Sequence, residues 1–296
     1  ALPIYTKGTL IISGQKSQLI YNETGTWSVE PVKEGELLIQ GNYNGLSILE
    51  KSGGQWRFRN KIEGFDTSAR AIVIVDADSQ IRVNPEFKGL FNLIVESDYR
   101  KIQKADFLES VGYSSSILKY NDDILYTSNE GVFNLDLNTF KLLKNEPWTE
   151  VFYSKGNEIW GKLVFESKGK KVWGFSERNV ICMSIDSFDG TPKVVQIPIP
   201  SFFRRDQGLV GYENVSHVYG STYLIGTSDG YKLIDLNKPR EADYSVSINA
   251  VEKKVRFSFG EALSLRDNLI LPFDQSMLKF SFSVPEYDKY KEVEFQ

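Results

Sequence analysis

Few side chains in this sequence could carry catalysis, because the usual nucleophiles and bases occur singly. His217 is the only histidine and Cys182 the only cysteine, which excludes a cluster of histidine metal ligands and a disulfide within the chain. A serine–histidine–aspartate triad would depend on His217 alone, so we expect this residue to make a structural hydrogen bond. Cys182 follows Ile181 in an apolar strand pattern, which predicts a buried, unreactive thiol.

Acidic residues could support two further kinds of chemistry, metal binding and glycoside hydrolysis. Asp76 and Asp78 in the stretch DADSQ could begin a calcium loop. Such a site needs about six to eight oxygen ligands, and the Gly and distal Glu of that motif are missing. A hairpin turn in which aspartates bind their own backbone is favoured. Carboxylate pairs could still assemble in space, but no catalytic motif is visible, and we expect no metal, no cofactor and no catalytic residue.

One segment has the composition of a ligand-binding loop. Residues 187–211 contain three prolines, followed by Phe202, Phe203, Arg204 and Arg205. Aromatic rings can stack on a sugar, and guanidinium groups can bind a carboxylate or sulfate through two hydrogen bonds. We predict these four residues as a ligand-binding site. The alternative is an ordinary connecting loop, which the prolines and the general tolerance of exposed apolar residues favour.

A repeated β-hairpin would position these residues, and it is clearest at Asp122–Leu137. The stretch DDILYTSNEGVFNLDL predicts a strand, a tight turn that ends at Gly131, and a second strand. Phe133, Leu135 and Leu137 alternate with polar residues and are predicted to share one face. Glycine suits the turn because it adopts positive φ without steric cost.

Five copies of this hairpin align on turn residues that lie 44, 42, 48 and 51 residues apart, namely Gly45, Gly89, Gly131, Asn179 and Gly230. Asparagine fits this set because it also tolerates the left-handed region. Three positions in each copy lie six residues before, one after and four after the turn residue, and all 15 are apolar. A 41% apolar composition would give about 6. These positions are Ile39, Val83, Leu125, Trp173, Leu224, Leu46, Leu90, Val132, Val180, Tyr231, Leu49, Leu93, Leu135, Met183 and Ile234.

The spacing predicts an all-β fold, a β-propeller of about five to six blades over residues 1–239, because four-stranded blades repeat at roughly 40–50 residues. A weaker copy at Thr9–Tyr21 has its predicted turn near Gln18. The stretches Trp148–Lys162 and Lys171–Asp186 are predicted to supply strands of one blade. We predict that residues 240–296 are the first strands of an immunoglobulin-like β-sandwich. Its strands would be Val246–Val251, Lys254–Phe259, Met277–Val284 and Glu292–Phe295.

The bulk properties of the chain exclude several classes of function. Its 296 residues carry a net charge of −4, whereas nucleic-acid-binding surfaces show a basic patch or stripe. No apolar run reaches the ~18 residues that a membrane-spanning helix requires. The chain begins at Ala1 without a signal-peptide pattern, so we expect it to be a segment of a longer protein.

At the level of motifs, the sequence resembles a known family. The stretch Ala71–Leu93, AIVIVDADSQIRVNPEFKGLFNL, resembles the propeller repeat of Bacteroidetes two-component-regulator sensors, and the copies at Asp122 and Ser221 resemble it too. Asn268–Tyr287, NLILPFDQSMLKFSFSVPEY, is similar to the first strands of the triple-tyrosine domain that follows this propeller. The turn entry at Asn84-Pro85-Glu86 departs from the small polar residues of the family repeat.

The resemblance implies the periplasmic sensor part of a membrane-anchored regulator. A propeller face would bind a small molecule or an oligosaccharide, and a homodimer would transmit the signal by rearranging. A membrane helix and either a histidine kinase or a helix-turn-helix domain would follow downstream, and this segment would not itself contact nucleic acid. The alternative is a polysaccharide lyase or hydrolase, with a structural interaction module third, because a propeller alone does not determine function.

Overall fold

The structure of the protein is a computed structural model. It describes residues 2–4, 7–33, 35–76, 80–85, 87–154, 159, 162–186, 190–204, 213–238, 246–255, 258–264 and 277–285. The chain divides into two compact units, Ala1–Asp235 and Leu236–Gln296. Pro239, where we predicted the domain boundary, lies outside the described residues, as does the predicted turn at Asp78.

The described strands of the first unit form six antiparallel sheets in which each strand pairs with its sequence neighbours. The first three sheets contain β1 (Leu2–Ile4), β2 (Gly8–Ser13) and β3 (Lys16–Tyr21); β4 (Thr26–Lys33), β5 (Leu37–Asn42), β6 (Gly45–Ser52) and β7 (Gln55–Lys61); and β8 (Ala71–Asp76), β9 (Gln80–Asn84), β10 (Leu90–Val95) and β11 (Ile102–Leu108). The next three contain β12 (Ser116–Tyr120), β13 (Asp123–Ser128), β14 (Gly131–Asp136) and β15 (Lys141–Lys144); β16 (Val164–Glu166), β17 (Lys171–Phe175), β18 (Asn179–Ile185) and β19 (Pro192–Pro198); and β20 (Val215–Tyr219), β21 (Thr222–Thr227) and β22 (Gly230–Asp235).

The first strands of successive sheets pack side by side, β4 against β8, β8 against β12, β12 against β16, and β16 against β20. Antiparallel sheets that repeat around a shared inner edge are the blades of a β-propeller, and their first strands line its central channel. The predicted all-β, propeller-like fold is therefore confirmed.

The first sheet corresponds to the outer three strands of a blade. Its last strand, β3, leads into β4 and packs against β7, the outer strand of the second sheet. Gly8 begins β2 with a φ of +90°, just as Gly45 begins β6 with +116°. A Cβ on Gly8 would lie 1.9 Å from the carbonyl oxygen of Tyr21, so only glycine fits. The turn predicted near Gln18 is wrong, because Gln18 lies within β3 and pairs with Ile11.

The apolar columns of the repeat form the cores between sheets. Of the 15 predicted positions, 13 are buried, and full burial of one such side chain stabilises by about 1.5–3 kcal/mol. The two exceptions, Leu224 and Tyr231, both lie in the sixth sheet, where Tyr231 is 65% exposed. Leu137, predicted to share the face of Leu135, is 42% exposed because β14 ends one residue earlier, at Asp136.

Positive φ is confirmed at Gly45, Gly89, Gly131 and Gly230, with values of +116°, +92°, +125° and +154°. The same prediction for Asn179 is wrong, since its φ is not positive. The Asn179 N–H donates to the Ser176 hydroxyl at 3.1 Å, and the Ser176 N–H donates to the Asn179 carbonyl at 2.9 Å. These two bonds close a turn that needs no left-handed residue at its end.

The third sheet shows a further difference from the predicted alignment. Five residues separate β9 from β10, whereas two separate β5 from β6. Arg82, not Val83, therefore takes the paired position that Ile39 takes in the second sheet. Arg82 is only 2% exposed; it donates to the side chain of Asn92, and its guanidinium lies 5.5 Å from the ring centroid of Phe140.

In the described part of the chain, two short helices interrupt the strands. Helix α1 (Glu146–Tyr153) covers the beginning of Trp148–Lys162, a stretch that was predicted to supply strands of a blade. The Asn145 side chain caps it by accepting a hydrogen bond from the Trp148 N–H at 3.2 Å, and Pro147 in the first turn has no N–H to satisfy. Helix α2 (Ser201–Arg204) follows β19.

The second unit contains a described three-stranded antiparallel sheet. Its strands are β23 (Ser247–Val255), β24 (Ser258–Leu263) and β25 (Leu278–Ser283), in the order β24-β23-β25. β23 and β25 overlap the predicted strands Val246–Val251 and Met277–Val284. The predicted strand Lys254–Phe259 is wrong, because Lys254 pairs with Phe259 and Val255 with Ser258, so the stretch holds the end of β23 and the start of β24. The fourth, Glu292–Phe295, lies outside the described residues, so the immunoglobulin-like sandwich stays a prediction.

Candidate functional site

Three of the four residues predicted to bind ligand, Phe202, Phe203 and Arg204, belong to helix α2. Phe202 is 80% exposed. Phe203 belongs to the helix, but its side chain lies outside the described part of the structure, and Arg205 is outside it altogether. The structure does not test whether this segment binds a ligand, so that stays a prediction.

The contacts of Arg204 indicate a structural role. Its Nη1 lies 3.8 Å from Oε1 of Glu213, with the two side chains 0% and 4% exposed. Its Nε donates to the Ile199 carbonyl at 2.7 Å, Nη2 donates to the Ser176 carbonyl, and the guanidinium lies 5.5 Å from the ring centroid of Phe175. Removal of one partner from such a buried pair typically costs about 3–5 kcal/mol, so a substitution here would act on stability first.

The singly occurring residues have the structural roles predicted for them. His217 Nε2 lies 2.9 Å from the Gly220 carbonyl oxygen, and its ring contacts Tyr223 at a centroid distance of 5.3 Å. Cys182 is 2% exposed, and burial raises the pKa of its thiol to about 12, which keeps it protonated at neutral pH.

The first strands of the sheets carry a group of charged side chains at one end of the channel. Arg70 immediately precedes β8, Lys162 lies two residues before β16, and Glu213 lies two residues before β20. These strands pack side by side, and each is the first strand of its blade. Their first residues therefore meet at one end of the channel. Trp27 and Glu30 of β4 complete the group, which we call the channel-mouth cluster.

The charges of Arg70, Glu213 and Glu30 all act on Lys162, which indicates that these four residues lie near one another. Burial lowers the pKa of Lys162; the Arg70 charge lowers it further, whereas Glu213 and Glu30 raise it. Burial also raises the pKa of Glu30 to about 7, although the Lys162 charge opposes this shift. Lys162 is nevertheless accessible to solvent, and Glu30 is half-buried. A side chain enclosed by protein but open to the channel water explains both observations.

Aromatic rings flank the charged groups. The Arg70 guanidinium lies 5.6 Å from the ring centroid of Trp27, and Trp27 stacks with Tyr43 at a centroid distance of 6.4 Å and an interplanar angle of 25°. Tyr43 is 62% exposed. It lines a cavity of about 630 Å³ together with the segments Asn22–Gly25 and Asn44. This cavity is open to solvent over much of its surface.

Hydrogen bonds hold the cavity wall in place. Tyr21 donates to Oε2 of Glu23 at 2.9 Å, and Lys61 lies 3.2 Å from the same carboxylate, so the pKa of Glu23 is lowered. Gly25 has a φ of +85°, and a Cβ there would lie 2.5 Å from Cβ of Tyr43. The segment therefore approaches Tyr43 closely because it carries a glycine.

A buried polar network lies next to the cavity wall, mainly on β5 and β6, the strands that flank Tyr43 and Asn44. Gln40 Nε2 donates to Oδ1 of Asn42 at 2.7 Å, and Asn42 Nδ2 donates to the Ser47 hydroxyl at 2.7 Å. Thr9 of the first sheet donates to Gln40. All four residues are at most 1% exposed, and satisfied networks of this kind rigidify a structure.

The described residues contain no cluster of three or more side chains suited to hold a metal ion. None of the helices found in the described part of the chain is both long and apolar enough to cross a membrane.

Comparison with known proteins supports the fold. No family model and no curated protein matches the chain. A solved structure named as a 6-phosphogluconolactonase from Bacteroides fragilis is 11% identical, with a TM-score of 0.51, over 76% of this chain and 71% of its own. At that identity the likeness concerns the fold alone.

Two further solved structures are extracellular domains from B. thetaiotaomicron. The domain of a hybrid two-component system is 16% identical, with a TM-score of 0.44, over 78% of this chain and 28% of its own. The domain of a one-component system is 14% identical, with a TM-score of 0.48, over 83% of this chain and 37% of its own. This chain thus spans well under half the length of either domain. What the comparisons establish is a β-propeller-like fold.

Sequence reasoning missed the channel-mouth cluster. Its members range from position 27 to position 213 in the sequence and belong to four sheets, so no local motif links them. One signal was present: Arg70 and Lys162 each stand just before an inner strand, where a propeller exposes side chains to its channel.

Proposed function

We propose that this chain is an extracytoplasmic domain that binds a small saccharide at the channel mouth and senses it without converting it. The observation that supports this most strongly is the grouping of Arg70, Lys162 and Glu213 from three sheets. Trp27 lies against Arg70 and stacks with Tyr43, which lines a cavity of about 630 Å³. Ligand sites typically combine apolar walls with a few convergent polar groups. Aromatic faces such as those of Trp27 and Tyr43 offer stacking area for a sugar ring.

Contact with several blades also suits a sensor. A ligand can shift a conformational equilibrium only if it binds one state better than the other. A saccharide that bridges the second sheet, through Trp27, and the fifth, through Lys162, would favour one arrangement of the blades. Transmission by a rearranging homodimer belongs to the same proposal.

The direct test is thermal unfolding of the purified domain with a panel of neutral and acidic oligosaccharides, together with chromatography of each saccharide afterwards. A bound saccharide at about 100 times its Kd should stabilise the fold by roughly 2.7 kcal/mol and be recovered intact. Trp27→Ala should abolish the shift. Trp56→Ala, on the outer strand β7, is the matched control and should keep it. Failure of every saccharide to stabilise the wild type would overturn the proposal.

One observation favours a second candidate, a polysaccharide lyase or hydrolase. A pKa near 7 is suitable for a general acid, and Glu30 has this property because of burial. The chromatography decides between the two candidates. Cleaved product that disappears in Glu30→Gln would establish the enzyme, whereas intact saccharide would support the sensor.

A further inference from the structure

The lining of the cavity beside Tyr43, which we call the Tyr43 cavity, indicates which class of saccharide it would take. Six described residues line it, namely Asn22, Glu23, Thr24, Gly25, Tyr43 and Asn44. Glu23 alone among them is charged, and the side chains of the others are amides, hydroxyls and an aromatic ring. Amide and hydroxyl groups exchange hydrogen bonds with the hydroxyls of a sugar. The described lining thus suits a neutral ligand and offers no cation to an acidic one.

Two contacts hold the Glu23 carboxylate in place, and both reach the same oxygen. The Tyr21 hydroxyl donates to Oε2 at 2.9 Å, and Nζ of Lys61 lies 3.2 Å from Oε2. These contacts lower the pKa of Glu23, so the carboxylate is ionised at neutral pH. The side chain is 56% exposed, and no described residue contacts the second oxygen, Oε1. Oε1 is therefore a positioned acceptor, and hydrogen bonds to an ionised acceptor are roughly twice as strong as neutral ones.

Tyr43 supplies a stacking surface in the same cavity. Its side chain is 62% exposed, and Trp27 stacks with it at a centroid distance of 6.4 Å. The segment that carries Glu23 runs close to this ring, since a Cβ on Gly25 would lie 2.5 Å from Cβ of Tyr43. The apolar face of a sugar ring can pack on an aromatic ring while its hydroxyls remain available for hydrogen bonds. One sugar unit could therefore use both the ring and the carboxylate.

Resting on the proposed function, we infer that the sugar unit in the Tyr43 cavity is neutral, packs on Tyr43 and donates a hydroxyl hydrogen bond to Oε1 of Glu23. An acidic sugar would bring a second negative charge beside Glu23, and like charges brought together at a binding site weaken binding. An amino sugar would bring a cation to a carboxylate that Lys61 already neutralises. The neutral sugar uses the available acceptor without either conflict.

The experiment is calorimetric titration with oligosaccharides that share ring and linkage but differ in charge. Cellulose oligomers are compared with 1,4-linked glucuronate and glucosamine oligomers, and mannan oligomers with mannuronate oligomers. Neutral oligomers of xylan, galactan and arabinan complete the panel. In at least one series the neutral member should bind about 10-fold or more tightly than its charged counterparts.

Three variants test whether Glu23 reads the ligand. Glu23→Gln should weaken binding of the neutral oligomer about 10-fold and narrow its advantage over the uronate, because the charge of the acceptor is lost. Glu50→Gln is the matched control: it also removes an acid from an exposed ion pair, with Arg57, and affinity should stay within about twofold. Lys61→Met keeps the Glu23 carboxylate without its cation, so the preference for the neutral oligomer over the uronate should widen. This variant tests the assignment even if Glu23→Gln does not fold.

The outcomes separate the two proposals. Equal or tighter binding of the uronate or glucosamine oligomers would overturn the neutral ligand and leave the saccharide-binding function standing. A neutral preference that neither Glu23→Gln nor Lys61→Met changes, in variants with unaltered thermal unfolding, would overturn the role of Glu23. Absence of binding by every neutral and charged saccharide would overturn both proposals.

Discussion

The fourth sheet, β12–β15, and the sixth sheet, β20–β22, carry the same hairpin pattern but bury it to different extents. Val132 follows the turn glycine of the fourth sheet and is 0% exposed, whereas Tyr231 takes the same position in the sixth and is 65% exposed. In the fourth sheet β15 pairs with β14 and helix α1 packs against it. Among the described residues, no fourth strand pairs with β22.

The difference shows what the repeat pattern specifies. Alternation in the sequence determines which face of a strand is apolar. Whether that face is buried depends on neighbouring elements that can be distant in sequence. Ile234, which is 2% exposed, shows that the sixth sheet still buries some of its apolar residues.

The largest contrast should come from leucine truncations in the two sheets. Leu135→Ala should destabilise by about 2–5 kcal/mol, because a 5%-exposed leucine leaves a cavity when truncated. Leu233→Ala, at a residue that is 52% exposed, is the matched control and should stay within about 0.5 kcal/mol of the wild type. Denaturant unfolding measures both. Equal losses would show that the two sheets do not differ as described.

The turn glycines should give a smaller contrast in the same direction. Gly131 has a φ of +125°, and a Cβ there would lie 2.7 Å from Thr149, so Gly131→Val should cost on the order of 1–3 kcal/mol. At Gly230, with φ +154°, no heavy atom lies within 4 Å of an added Cβ. Gly230→Val should therefore cost less. If Gly230→Val lowered the melting temperature more than Gly131→Val does, the packing described at both turns would be contradicted.

The parts of the fold that depend on local pattern could be predicted from the sequence. The burial of Val83, Leu93 and Leu125 followed from alternation around glycine turns. The helix at Glu146 was also readable in principle, since Asn145 and Pro147 are a cap and a first-turn residue. The shift at Arg82 was not, because a longer turn changes the pairing without changing the apolar pattern.

The candidate site depended on contacts that the sequence does not encode locally. Arg204 looked like a ligand-binding residue beside Phe202, but its burial against Glu213 becomes visible only when the fifth and sixth sheets are packed. Glu30 and Lys162 act on each other for the same reason, across sheets separated by more than 100 residues. Convergence of this kind is a property of the blade arrangement.

The most direct test of ligand binding at the channel mouth compares two exposed tyrosines at opposite ends of the inner strands. Tyr43, 62% exposed, lies at the mouth, and Tyr219, 67% exposed, ends β20 at the far end of the channel. Calorimetric titration of a saccharide that binds the wild type should show about a 10-fold loss of affinity in Tyr43→Ala. In Tyr219→Ala the affinity should stay within about twofold. Loss of binding in Tyr219→Ala with full affinity in Tyr43→Ala would contradict the assignment of the site.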